Sequence, residues 1–99
     1  MYWKIMIVTR EYERFCDHFR KLMPDTFRRT VNYTHITDGF LSITIYPWHE
    51  STSFRGRRAD LIYLDADLYD DEEMRYAIFQ PCGTIKSIRE LKNKFGWRD

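Results

Sequence analysis

Glycine is scarce in this chain of 99 residues, which contains only four. Neither of the glycine-rich phosphate loops, Gly-x-x-x-x-Gly-Lys-Ser/Thr or Gly-x-Gly-x-x-Gly, is present. Both loops work by bringing backbone N–H groups close to a phosphate, and that requires glycine at fixed spacings. The sequence therefore excludes the two common loops with which a fold cradles a pyrophosphate.

Cysteines and long apolar runs are also few. Cys16 and Cys82 are the only cysteines, they lie far apart, and no Cys-x-x-Cys or Cys/His metal spacing surrounds them. We expect two free thiols in a reducing compartment. The apolar start, Met1 to Val8, is shorter than a signal peptide, and no apolar run reaches membrane-spanning length. The resulting prediction is a cytoplasmic protein without membrane contact.

Catalytic patterns are missing as well. No serine lies in a nucleophile-elbow sequence, and His18, His35 and His49 are scattered along the chain without a visible nucleophile beside them. We assign no catalytic residue, and the sequence favours a protein that binds without catalysing over an enzyme.

The residues that are present favour one small folded domain, residues 1–99. The chain is 43% hydrophobic and 31% charged, as in a soluble globular protein. The net charge is only +1, but seven of the fifteen acidic residues lie between Asp60 and Glu73, where there is no lysine or arginine. An acidic segment thus lies in a basic remainder, which is typical of a solvated helix start, a metal site or a charged docking face.

Hydrophobic periodicity predicts a strand and then a helix at the start of the chain. Trp3–Thr9 contains the continuous apolar run Ile5–Val8, as expected of a strand that is covered on both faces. Thr9 offers a helix N-cap, apolar residues recur at helical spacing as far as Met23, and Pro24 ends the helix.

The rest of the chain predicts an α/β fold. Two β-rich segments, 26–36 and 40–46, flank the turn signal Asp38-Gly39 and predict a β-hairpin. The remaining predicted elements are a strand at Leu61–Asp65, a helix capped by Asp70 or Asp71, and a helix capped by Thr84. This order indicates one mixed central sheet, with the first and last strands parallel and about three helices packed on it. The exposed edge of the hairpin would allow a second copy to pair, so a homo-oligomer is one expectation.

Three arginines precede the Leu61 strand, in the sequence Phe-Arg-Gly-Arg-Arg-Ala-Asp. They are Arg55, Arg57 and Arg58, and guanidinium groups bind phosphate or carboxylate through paired hydrogen bonds. The loop therefore predicts either a nucleic-acid contact or a surface that is solvated or paired with nearby acids. Arg28 and Arg29 on the hairpin would enlarge such a patch.

Asp65 and Asp67 follow the same strand. If the strand continues through Asp67, both side chains point to one face, and their oxygens are suitable ligands for Mg²⁺. This arrangement predicts a magnesium-dependent nucleotide or nucleic-acid enzyme as an alternative function. In the other interpretation, the two acids lie in water or pair with nearby arginines, and no cofactor is bound.

Residues 54–65, Phe-Arg-Gly-Arg-Arg-Ala-Asp-Leu-Ile-Tyr-Leu-Asp, resemble the Walker B region of phage large-terminase and helicase-type P-loop ATPases. In that family an Arg-Gly-x-Arg-x-Asp turn leads into an apolar strand that ends in Asp-Glu. The resemblance implies that Asp65 matches the magnesium-associated aspartate, whereas Ala66 replaces the catalytic glutamate. With the phosphate loop also missing, the resemblance implies a piece of the fold kept for binding rather than for ATP hydrolysis.

The sequence therefore predicts a binding protein that engages a protein partner or a nucleotide. The resemblance adds a phage origin and an inhibitor acting on host or defence machinery. We expect the contact surface at the C-terminal end of the central strand. Its predicted residues are Trp48, Arg55, Arg57, Arg58, Asp67 and Glu72. A nucleic-acid-binding module that uses the three arginines is a further alternative.

Overall fold

The computed structural model describes residues 3–49, 54 and 56–94. The strands within these residues are β1 (Trp3–Thr9), β2 (Arg28–Arg29), β3 (Thr34–Asp38), β4 (Leu41–Pro47), β5 (Leu61–Leu64) and β6 (Thr84–Ser87). The α-helices are α1 (Tyr12–Leu22), α2 (Ala66–Asp70), α3 (Glu72–Met74) and α4 (Ile88–Lys94), with a π-helical turn at Arg75–Phe79 and a 3₁₀ turn at Gln80–Cys82.

The strands form one mixed sheet in the order β2-β3-β4-β1-β5-β6. The four strands β4, β1, β5 and β6 are parallel, and β3 is antiparallel to both β2 and β4. The predicted α/β class is confirmed, as are the parallel pairing of β1 with the Leu61 strand and the hairpin at Asp38-Gly39. Gly39 takes a φ of +58° in that turn, a conformation that glycine adopts readily.

The central strand β1 is buried on both faces, as its continuous apolar run predicted. Ile5 and Ile7 point to one face of the sheet, which we call the Ile7 face, and Met6 and Val8 point to the other, which we call the Met6 face. Helices α1 and α4 cover the Ile7 face with Phe15, Phe19, Ile88 and Leu91.

The Met6 face is covered over only part of its width. Residues from α2 and the two turns after α3, together with Trp48 and Phe54, pack over β1 and β5. Among the described residues, such a layer reaches the β3-β4 hairpin only at Tyr46, which packs against Phe54. The hairpin side chains on this face are polar and partly exposed: His35, Thr37, Ser42, Thr44 and Tyr46. An open polar half-sheet therefore lies beside a buried apolar one.

Two predicted elements differ in the structure. The segment 26–36 is not one strand, because the chain turns at residues 30–33 between β2 and β3. The Thr30 hydroxyl accepts a hydrogen bond from Tyr33 N at 3.1 Å, and Thr30 N donates to Tyr33 O at 2.8 Å. A threonine that bonds its own backbone in this way favours a turn over a strand.

The predicted N-cap at Thr84 is also wrong, because Thr84–Ser87 is strand β6, paired in parallel with β5. Helix α4 begins only at Ile88. Thr9 is likewise not the N-cap of α1; the N-cap position is Glu11, whose N–H donates to the Thr9 hydroxyl at 3.0 Å. The cap at Asp71 is confirmed, since its carboxylate accepts from Met74 N at 3.1 Å.

Cys16 and Cys82 are both buried and free, as predicted. None of the helices among the described residues combines the length and the apolar character that a membrane crossing requires.

Candidate functional site

Asp65, the first acidic residue after β5, links two neighbouring strands. Asp65 accepts a hydrogen bond from the Thr9 hydroxyl at 2.7 Å and another from Arg10 N at 2.8 Å. Both carboxylate oxygens therefore face the end of β1, the neighbouring parallel strand. Asp65 thus locks the carboxyl ends of β1 and β5 together, at the edge where open α/β sheets commonly bind ligands.

The expected placement of Asp65 and Asp67 on one strand face is wrong. Strand β5 ends at Leu64 and α2 begins at Ala66, so Asp67 lies in the first turn of a helix and forms an ion pair with Arg10. Among the described residues, no group of three or more His, Cys, Asp or Glu side chains is arranged to hold a metal ion. Magnesium binding by Asp65 and Asp67 stays a prediction; both carboxylates already accept hydrogen bonds from Thr9 or Arg10.

Trp48 was expected on the contact surface, and the structure places it in the core instead. Its side chain is only 8% exposed and stacks on Phe54, with ring centroids 6.2 Å apart and an interplanar angle of 11°. Phe79 packs against the same pair, 5.8 Å from Trp48 and 5.3 Å from Phe54. Phe54, at the start of the arginine segment, is therefore an apolar anchor for that segment.

Arg58 and the acids lie toward opposite ends of β5. Arg57 and Arg58 precede β5 and line a groove with Lys4, beside the start of β1, whereas Asp65 accepts from Thr9 at the end of β1. The guanidinium of Arg57 nevertheless lies over Tyr46, which pairs with Val8 near the end of β1. The prediction of one contact surface at the C-terminal end of the strand is therefore wrong in position for Arg58. Glu72 is exposed in α3 and lies 4.0 Å from Arg75. Arg55 lies outside the described residues.

The hairpin arginines do not share one surface. Arg29 pairs with Glu13 of α1, 2.9 Å from its carboxylate, on the Ile7 side of the sheet, and this bond lowers the pKa of Glu13. Arg28 lies opposite His35 and so belongs to the Met6 face. Its guanidinium donates to the carbonyls of Phe27 and Asp25 at the rim of the hairpin.

A groove of about 210 Å³ lies on the open part of the Met6 face. We call it the basic groove, because Lys4, Arg57 and Arg58 line it, and no Asp or Glu among the described residues does so. The other lining residues are Ile5, Met6, Ser42, Thr44, Tyr46 and Ala59. Cations and hydroxyl groups therefore converge on one concave surface.

Aromatic rings hold Arg57 at the rim of the basic groove. Its guanidinium carbon lies 4.5 Å from the centroid of Tyr46 and 5.8 Å from that of Phe54. Phe54 in turn meets Tyr46 edge-on, with centroids 5.8 Å apart. A cation over an aromatic face is attracted by the ring. Arg57 is therefore oriented before any ligand arrives.

A second cavity adjoins the basic groove and shares Lys4, Arg58 and Ala59 with it. We call it the Asp60 pocket; its volume is about 370 Å³, and it is further lined by Asp60, Gln80, Cys82 and Gly83. Burial raises the pKa of the Cys82 thiol. The thiolate is the nucleophilic form of cysteine, so this shift disfavours a reactive role for Cys82.

Part of this site carries a signal in the sequence that residue-type motifs do not capture. Ser42, Thr44 and Tyr46 alternate with Leu41, Ile43 and Ile45 at a period of two, which indicates a strand with one polar face. Lys4 and Asp60 carry no comparable signal, because only the pairing of β1 with β5 brings them together.

Comparison of the chain with models of known protein families gives no match, and comparisons with curated proteins and with solved structures give none either. The Walker B resemblance therefore stays a prediction.

Proposed function

We propose that this chain is a non-enzymatic binding protein that holds a phosphate-bearing ligand, a nucleotide or a nucleic acid, in the basic groove. One observation carries the proposal: three cationic residues, Lys4, Arg57 and Arg58, line a groove that no described acidic residue lines. Phosphate groups are recognised by such sets of lysine, arginine and hydroxyl donors. The two buried free thiols agree with a protein that acts in the reducing cytoplasm.

Binding is favoured over catalysis by the state of the reactive side chains near the groove. The nearest pair of a nucleophile and a base is Ser42 with His35, whose Oγ and Nε2 lie 2.8 Å apart. A working serine–histidine pair also needs a group that orients the histidine ring through its other nitrogen. No described residue hydrogen-bonds to Nδ1 of His35. The Ser42–His35 bond therefore serves to fix a polar wall of the groove.

Substitution of the groove arginines tests the proposal. We expect Arg57→Ala and Arg58→Ala each to weaken binding of a fluorescein-labelled single-stranded oligonucleotide by about tenfold, since each removes a charged hydrogen-bond donor. Fluorescence anisotropy at low salt measures the affinity. We also expect the affinity to fall steeply as salt is raised, with a shallower slope in each variant, because fewer counterions are released.

The matched control is Arg89→Ala. Arg89 is exposed on α4, which covers the opposite face of the sheet, and its loss removes the same charge without touching the groove. We expect less than about a twofold change in affinity from this variant, because only long-range charge attraction is reduced. Equal weakening by all three variants, or no binding at low salt, would rule out the basic groove as the site.

A protein partner is the second candidate, and an exposed apolar pair favours it. Trp3 and Phe40 are 49% and 80% exposed, and their backbones meet, since Trp3 N donates to Phe40 O at 2.7 Å. Large apolar side chains exposed in one region of a surface can mark an interaction site. In this candidate the chain is a phage-derived inhibitor, and its partner is a protein of the host or of its defences.

Recovery of partners from the native cell tests this candidate. We expect a partner that co-purifies with the wild-type chain to be lost from Phe40→Ser and retained by Val31→Ser. Val31 is fully exposed and lies in the turn between β2 and β3 rather than beside Trp3. If both variants recovered the same partners as the wild type, the Trp3–Phe40 pair would not be the docking surface.

A further inference from the structure

The basic groove and the Asp60 pocket are neighbouring cavities with a common wall. Lys4, Arg58 and Ala59 line both. The two cavities differ in charge: no described Asp or Glu lines the groove, whereas Asp60 lines the pocket. A ligand with an anionic group at one end and hydrogen-bond donors at the other would match both.

The Asp60 carboxylate is held in place by the backbone of β1. Its Oδ2 accepts from Lys4 N at 2.8 Å, and Asp60 N donates to Lys4 O at 2.8 Å. Oδ1 receives no hydrogen bond from the described residues. An ionised carboxylate is an acceptor only, with about four lone-pair sites. Asp60 thus presents a fixed acceptor that repels phosphate and attracts hydroxyl or amine donors.

The wall of the Asp60 pocket that precedes β6 is hydrogen-bonded to the segment that carries Asp60. Ala59 N donates to Cys82 O at 2.9 Å, so the chain before β5 is tied to the chain before β6. Gln80 lies on this wall and is exposed. Its side-chain amide offers both a donor and an acceptor, the combination that reads the edge of a nucleobase. The pocket is therefore formed before a ligand enters.

We propose that the ligand is a ribonucleotide unit, with its phosphate in the basic groove and its ribose hydroxyls donating to Asp60. The inference rests on the proposed phosphate-binding function and adds the sugar as the recognised group. A carboxylate that accepts from a ribose hydroxyl near a phosphate site is a recurrent way of selecting ribose. Gln80, which lines the same pocket as Asp60, is the residue we expect to contact the base. The unit is either a free nucleotide or one residue of a single-stranded RNA.

A comparison of ribose with deoxyribose tests the inference without any substitution. We expect a ribonucleoside 5′-monophosphate to bind about tenfold more tightly than its 2′-deoxy analogue, measured by calorimetry, because the lost hydrogen bond is to a charged group. An oligoribonucleotide and an oligodeoxyribonucleotide of the same sequence form the second arm. Much tighter binding of the oligoribonucleotide than of the monophosphate identifies RNA as the source; equal binding identifies the free nucleotide.

Asp60→Asn separates the sugar contact from the phosphate contact. Asparagine keeps an oxygen for Lys4 N but loses the charge, and we expect the preference for ribose to fall to about twofold or less. Binding of inorganic pyrophosphate should be unchanged or tighter in this variant. The control is Asp70→Asn, which removes an exposed carboxylate at the end of α2 that lines neither the groove nor the Asp60 pocket, and should leave the preference intact.

The outcomes distinguish the two proposals. Pyrophosphate binding that depends on Arg58, with no preference for ribose in the wild type, would overturn the ribonucleotide inference and leave the phosphate site standing. Full retention of the ribose preference by Asp60→Asn would likewise overturn the ribonucleotide inference and leave the phosphate site standing. If neither pyrophosphate nor any nucleotide binds to the wild-type chain, the proposed function itself is wrong.

Discussion

Replacement of Gly83 by alanine is expected to lower the free energy of unfolding by about 3 kcal/mol or more. Gly83 has φ 155° and ψ −167°, a region that residues with a Cβ avoid at a cost of roughly 1–3 kcal/mol. A Cβ at this position would also lie only 2.1 Å from the backbone oxygen of Ala59. No side-chain rotation relieves that contact, so the chain before β5 or before β6 has to move. Urea denaturation measures the loss.

The matched control is Gly39→Ala. Gly39 also has a positive φ, +58°, but no heavy atom lies within 4 Å of the position its Cβ would take. Only the backbone strain remains, which costs about 1–2 kcal/mol. The interpretation of Gly83 as a point of close backbone packing would be disproved if Gly83→Ala destabilised the protein no more than Gly39→Ala does.

Trp48→Ala is expected to cost about 3–5 kcal/mol in the free energy of unfolding. The substitution empties the space between Phe54 and Phe79, both of which contact the indole and are themselves buried. The backbone bond from Trp48 N to Thr9 O, at 3.0 Å, is unaffected by the change, so the loss reports on side-chain packing. In a small domain such a loss is a large share of the total stability.

Trp3→Ala provides the comparison for Trp48→Ala. Trp3 lies in β1 but is 49% exposed, and its backbone hydrogen bond to Phe40 does not involve the indole. We expect its removal to cost less than about 1 kcal/mol, as for most surface substitutions. Similar unfolding midpoints for the two variants, measured under identical conditions, would contradict the burial of Trp48.

The central strand could be predicted from the sequence because its signal is local. Four apolar residues in succession, Ile5–Val8, require cover on both faces wherever they lie. Strand β6 lacked that advantage. Ile85 and Ile88 are three residues apart, which favours a helix, but Ile85 packs on the Met6 face and Ile88 on the Ile7 face. Residues 84–87 become a strand because they pair with the free edge of β5. No local sequence pattern indicates that this edge is available.

Burial of Trp48 depends on long-range packing in the same way. Its neighbours in sequence, Pro47 and His49, indicate a solvated loop, whereas its partners in space are Phe54 and Phe79. For the site, the sequence predicted that the arginines before β5 form a charged contact surface. It did not predict that Lys4 and the polar side of β4 complete the basic groove, because that requires the sheet order.

The order of the strands in the sheet also means that β1 can pair only after later parts of the chain have been made. Strand β1 pairs with β4 and β5, and the paired residues are far apart in sequence: Trp3 with Leu41, and Ile5 with Leu61. Contacts between distant residues slow folding, because the loops between them must be closed first. During synthesis, β1 leaves the ribosome before both of its partner strands and keeps an unpaired edge until residue 64 has followed. Nascent chains therefore pass through a stage at which β1 is open to aggregation or to capture by a chaperone.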